Sequence, residues 1–148
     1  MSAYRYELKR DWPSGSATVV WVMLNPSTAD DVNDDPTIRR VMTFSQGWGY
    51  RECVVLNLFA LRSTDPRGLL TAVDPVGPEN DAKLKLWAMA GYEMIAAWGA
   101  VPKRLRSRVG EVLRITGRTF ACLGETKDRQ PRHPLYVRGD AQLQTWKP

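Results

Sequence analysis

Two asparagines and one histidine carry most of the chemistry this chain could perform. Asn25 opens an Asn25-Pro26-Ser27 step that ends the apolar run VVWVML at residues 19–24. Asn57 interrupts a second apolar run, VVLNLFA at 54–60. His133, the only histidine, stands in a proline-flanked segment, QPRHPLYV at 130–137. A side-chain amide presents a donor and an acceptor side by side, which suits the edge of a planar heterocycle. Imidazole donates hydrogen bonds and exchanges protons near neutral pH. Each residue also has a plain structural reading. Asn-Pro after a strand is a common turn, an interior amide can be satisfied by backbone, and a lone loop histidine is ordinarily solvated.

Other groups fall near these three. Trp98-Gly99 pairs an aromatic with a turn-permitting glycine. Arg39, Arg40, Arg62, Arg129 and Arg132 are candidates for phosphate contact, whereas the basic run of Lys103, Arg104, Arg106, Arg108 and Arg114 reads mainly as a solvated helix face. Asp30, Asp31, Asp34 and Asp35 offer carboxylate oxygens to a divalent cation. They lack the glycine and terminal glutamate of a calcium loop, so a solvated acidic loop is expected, with neither metal nor cofactor. Cys53 and Cys122 lie in apolar stretches and read as small buried hydrophobes.

Periodicity and punctuation outline the elements that must position these groups. Tyr4, Tyr6 and Leu8 alternate with Arg5, Glu7 and Lys9, predicting a half-buried edge strand. Apolar runs predict further strands at about 18–24, 53–61, 93–99 and 119–124. Asp35-Pro36 caps and opens a helix that ends near Gly47 to Gly49, with Ile38, Val41, Met42 and Ser45 on one face. A second helix spans about 79–90, with Leu86, Trp87 and Ala90 inward. A third spans 103–116, with a stripe of Leu105, Val109, Val112 and Leu113 and a stop at Gly117. The polar stretch between the second of these strands and Pro78 exceeds a usual connection and reads as a functional or partly ordered loop.

Alternating strands and helices predict an α/β fold. The expected form is a three-layer sandwich with a four-stranded parallel central sheet plus an N-terminal edge strand, in a single domain over 1–148. In such a sheet the strands' carboxyl ends share one edge, where ligands bind. Asn25-Pro26-Ser27, Asn57 with Arg62, Trp98-Gly99 and the His133 segment are therefore expected on one rim.

Composition bounds the partners. With 148 residues, 43% hydrophobic and 25% charged, the chain can fold around a core of its own. It has no apolar run near the roughly 20 residues that span a bilayer, and MSAYRYELKRDW has no signal-peptide core. A cytoplasmic location without a membrane partner is the expectation. The net charge of +5 favours polyanionic or phosphorylated ligands.

Four segments in order resemble the motifs of the uracil-DNA glycosylase superfamily. MLNPS (23–27) resembles its loop after strand one, VVLN (54–57) its base-reading asparagine, AAWGA (96–100) its Trp-Gly pair, and HPLY (133–136) its final His-Pro-Ser-Pro motif. Over nearly its full length, through LNPSTAD, DPTIRR, NLFALRSTDP, GPEND, AWG and RHPLY, the chain is identified as a member of an uncharacterised bacterial and phage family. The glycosylase resemblance implies a uracil-DNA glycosylase-like fold and hydrolysis of an N-glycosidic bond in DNA or a nucleotide. His133 would then stabilise the departing base, Asn57 would pair with it, and Asn25 with nearby backbone would hold water. Pro26, Ser27, Trp98, Gly99 and Tyr136 would contact substrate, and Arg62 or Arg132 would hold a phosphate. Two departures stand out. Asn25 occupies the place where the most active members carry aspartate, and an amide cannot take up a proton at neutral pH. HPLY also lacks the serine of the final motif. A non-catalytic nucleotide or nucleic-acid binding module is the alternative, and a metal-dependent phosphoester hydrolase using the acids at 30–35 is the second.

Overall fold

The longest apolar runs form strands because both of their faces are covered. In the computed structural model, which describes residues 2–148, β1 (Leu8–Asp11) is followed by β2 (Thr18–Met23), whose side chains alternate between two cores. Val20 and Val22 enter one core; Val19, Trp21 and Met23 enter the other. Asp35 then caps α1 (Pro36–Gly47) as expected, its Oδ1 accepting the Ile38 N–H at 2.9 Å. β3 (Glu52–Asn57) divides its residues in the same way, Val54 and Leu56 to one side and Cys53 and Val55 to the other.

A short α2 (Arg67–Thr71) lies within the long loop, and α3 (Asn80–Met89) follows. β4 (Glu93–Ala96), α4 (Ser107–Thr116), β5 (Ala121–Cys122) and β6 (Gln144–Thr145) complete the order. Helix α1 packs Ile38, Val41 and Phe44 on one face of the sheet; α3 and α4 pack Leu84, Ala88, Val109 and Val112 on the other. The result is a three-layer α/β arrangement.

The sheet runs β1-β3-β2-β4-β5-β6. Its four inner strands are parallel, while β1 and β6 join antiparallel at the two edges. The expected four-stranded parallel sheet with one added strand is thus corrected to a mixed, six-stranded sheet among the described residues. β6 escaped the sequence because it has two residues, both exposed. It is anchored from outside the strand: the Trp146 N–H donates to Phe120 O at 2.8 Å and its indole to Arg129 O at 2.9 Å.

Three further expectations change. The edge strand starts at Leu8, and Tyr4 makes only an isolated bridge to Leu61. Tyr4 and Tyr6 stack with ring centroids 5.9 Å apart over Gly77, where a Cβ would come within 2.9 Å of the Tyr4 ring. On α3 the inward residues are Asn80, Leu84 and Ala88, with Trp87 half-buried against the same core as expected, whereas Leu86, 62% exposed, and Ala90 face outward. The helix is turned this way because Asn80 is pinned to the end of β3, and positions four apart share its face. The helix expected over 103–116 is a 3-10 turn at Lys103–Leu105 followed by α4, with Gly117 ending it at φ +60°. Within α4, Arg108 is buried, its Nε donating to Leu58 O at 2.9 Å and its Nη2 to Asp81 Oδ1 at 2.6 Å.

Both cysteines are buried and free, and burial pushes the Cys53 thiol up to about 12. No described helix is long and apolar enough to cross a membrane.

Candidate ligand cavity

The chain leaves β2 toward β3 on one side, then crosses back to β4 on the other. Loops that depart in opposite directions open a crevice at the strands' carboxyl ends. A cavity of about 540 Å³ lies there, a size suited to a small organic ligand. Asn25, Ser27, Asn57, Trp98, Gly99, Arg132, His133 and Tyr136 all line it. Pro26 and Arg62 do not. Pro26 is buried behind the wall, its carbonyl accepting the Ser63 N–H at 3.0 Å, and Arg62 is half-buried.

Asn57 is the last residue of β3 and only 1% exposed. Among the described residues neither its Nδ2 nor its Oδ1 has a hydrogen-bond partner. Its main chain is held in place by Asn80, whose Nδ2 donates to the carbonyls of Asn57 at 3.0 Å and Leu58 at 3.2 Å. The backbone is fixed while the amide is left unpaired on the cavity wall. Unsatisfied buried polar atoms cost about 1–3 kcal/mol each, so the Asn57 amide is costly as it stands.

Asn25 behaves differently. Its Nδ2 donates to Ser63 O at 2.8 Å and Pro26 O at 3.0 Å, clamping the loop after β2 to the loop after β3. Among the described residues its Oδ1 takes part in no side-chain hydrogen bond. The amide donors therefore shape the wall and are not free for a ligand.

His133 precedes the turn at Pro134–Tyr136, and its Nδ1 accepts the Leu135 N–H at 3.1 Å. Burial lowers its pKa, opposed by the charge of Asp35. A neutral ring whose Nδ1 is an acceptor must carry its proton on Nε2, which makes it a donor at that atom. Tyr136 packs beside the ring with centroids 5.4 Å apart. Trp98 is 1% exposed, donates from its indole to Gln130 Oε1 at 2.9 Å, and meets Phe120 and Trp146 edge-on, so it serves core and wall together.

Gly99 ties the β4 end to the histidine loop. It sits at φ +68°, its N–H donates to Pro131 O at 2.8 Å, and a Cβ there would lie 3.1 Å from the His133 Cβ. Gly99→Ala is expected to cost about 1–2 kcal/mol from the left-handed backbone alone. It should also displace His133. Urea denaturation reads the first effect and the histidine's NMR shifts the second.

Sequence reasoning missed Arg5, Asp35, Ser63 and Thr64 as wall residues. The sequence predicts Asp35 as a cap, and it is one. Its Oδ2 also accepts the Ala29 N–H at 3.2 Å, which folds the loop after β2 onto α1. Asp30 and Asp34 are likewise occupied: Asp30 accepts from Val32 and Asn33, and Asp34 pairs with Arg10 at 2.8 Å. Among the described residues no three histidine, cysteine or acidic side chains group as metal ligands.

The fold and the cavity define an α/β protein with a concave site at the carboxyl edge of a parallel strand core. The chain matches the family described as "Protein of unknown function (DUF1643)" over residues 5–135, and it belongs to that family. No curated protein and no solved structure matches it.

Proposed function

We propose that the cavity binds a nucleobase carried by a nucleotide or a nucleic-acid strand, and that the protein hydrolyses the N-glycosidic bond to that base. The observation that carries this reading is the Asn57 amide, buried in the wall with donor and acceptor both unpaired. A base edge that presents one acceptor and one donor satisfies both at once. Trp98 and Tyr136 add aromatic surface to the same cavity. The ordered resemblance of MLNPS, VVLN, AAWGA and HPLY to uracil-DNA glycosylase motifs supports the same reading.

In the reaction the C1′–N bond breaks and its electron pair departs on the base. Water oxygen bonds to C1′, and its proton passes to the base or to solvent. The neutral His133, donating from Nε2, stabilises the charge developing on the base. A base within a duplex must first leave the stack to reach the cavity.

One observation favours a binding module without turnover. The Asn25 donors are consumed by backbone carbonyls, and Asp35 already holds two backbone N–H groups. No unengaged carboxylate then remains in the wall to activate water. Calorimetric titration with nucleosides, followed by chromatography of oligonucleotides that each carry one modified base, separates the readings. A base released supports the hydrolase. Binding without release supports the module, and no affinity for any nucleoside or nucleotide would sink both.

A further inference from the structure

Arg5 is 8% exposed and forms part of the cavity wall, yet it has no carboxylate within ion-pair distance among the described residues. One terminal nitrogen donates to the Ala29 carbonyl, and its buried Nε–H has no partner. Among the described residues the buried Nε of Arg62 is equally unpartnered, and Arg62 also lacks an ion pair.

Backbone pairing accounts for their common placement. The Arg5 N–H donates to Ala60 O and the Arg62 N–H to Ala3 O, both at 2.9 Å, on either side of the Tyr4–Leu61 bridge. In an antiparallel pair, residues directly opposite share a face and successive residues alternate. Tyr4 and Leu61 therefore take one face, and Arg5 and Arg62 take the other as diagonal neighbours. Burial and the Arg62 charge bring the Arg5 pKa down to about 10, which leaves it charged at neutral pH. Two acids offset it: Asp35, with the larger effect, is committed to two backbone N–H groups, and Asp31 contributes less. Two cations on one face, one of them buried and neither within ion-pair distance of a described carboxylate, are stabilised when an anion joins them.

We infer that Arg5 in the cavity wall, with Arg62 beside it outside the lining, forms an oxyanion subsite at the cavity's edge, which takes a phosphate group of the ligand. Guanidinium forks suit phosphate oxygens because each offers paired, fixed donors. The identity of the phosphate's carrier rests on the base-binding reading above; the anion subsite itself does not. The ligand would then be a phosphorylated nucleoside or a strand, and a free base or plain nucleoside would bind less well.

The test is calorimetric titration of the full chain, Arg5→Gln and Arg62→Gln with four probes. These are inorganic phosphate, a nucleoside, its 5′-monophosphate and a single-stranded oligonucleotide. Phosphate affinity is expected to fall at least tenfold in each variant. The unsubstituted chain should prefer the monophosphate or the oligonucleotide to the nucleoside by a similar factor, and both variants should lose that preference. Preference for the monophosphate identifies a free nucleotide as the source, and preference for the oligonucleotide alone identifies a strand. Should Arg5→Gln not fold, the half-buried Arg62 decides through its own variant. Phosphate affinity equal in all proteins, or no gain from phosphorylation, overturns the subsite. Phosphate binding that depends on arginine while every nucleoside fails would instead retain the subsite and reject the base pocket.

Discussion

Asn57→Leu is expected to make the protein more stable and to remove most of its ligand affinity. The amide is buried with two unpartnered polar atoms, so an apolar side chain of similar size relieves a desolvation cost. The gain should be about 1–3 kcal/mol, reduced by any strain from the added volume. The ligand meanwhile loses a donor and an acceptor at one stroke, and its own polar edge faces a hydrocarbon. Binding should weaken on the order of 100-fold. Urea denaturation measures the first change and calorimetry the second. A variant that is less stable and binds normally would mark Asn57 as a structural amide.

The second large effect concerns His133. His133→Ala should slow base release by roughly 10²–10³-fold, the cost of removing one donor from a developing negative charge. Binding should change far less. The ring's pKa is held below its usual value by burial, so at neutral pH it is the uncharged donor. Activity should be flat above about pH 7 and fall as the pH drops below the ordinary histidine value of about 6.5. A proton added there lands on Nδ1, which must otherwise accept the Leu135 N–H. Stability follows the same direction. The unfolded chain takes up this proton at a higher pH than the folded one, so the contribution of the neutral ring is full above the unfolded pKa. It is lost as the pH falls through the lower, folded pKa. A pH–rate profile whose acid limb survived in His133→Ala would assign that limb to another group.

Local patterns read well where local causes dominate. The runs at 19–24 and 53–57 named the central strands because strands covered on both faces need near-continuous apolar sequence. Asp35-Pro36 and Gly117 marked helix boundaries through capping chemistry that acts within a few residues. Most rim residues were legible by one step of reasoning, since the ends of parallel strands must meet. What stayed hidden depends on pairing between distant segments. Arg5 sits at a position that alternation assigns to solvent, and only its register against 60–62 turns it inward. The polar GPEND stretch gives no hint that Asn80 anchors the end of β3 and sets the rotation of α3. Asn25 drew notice for its type, yet its work as a clamp depends on where Ser63 comes to lie.

The cavity's lining runs from Arg5 to Tyr136, so no short stretch of the chain possesses it. Whatever occupies it engages only molecules that have completed folding, and occupancy is therefore transmitted to the melting temperature. At a concentration one hundred times Kd, the native state gains about 2.7 kcal/mol, which for a chain of this length raises Tm by roughly 5–10 °C. A library of phosphorylated metabolites can thus be sorted by thermal shift alone, before any reaction is known.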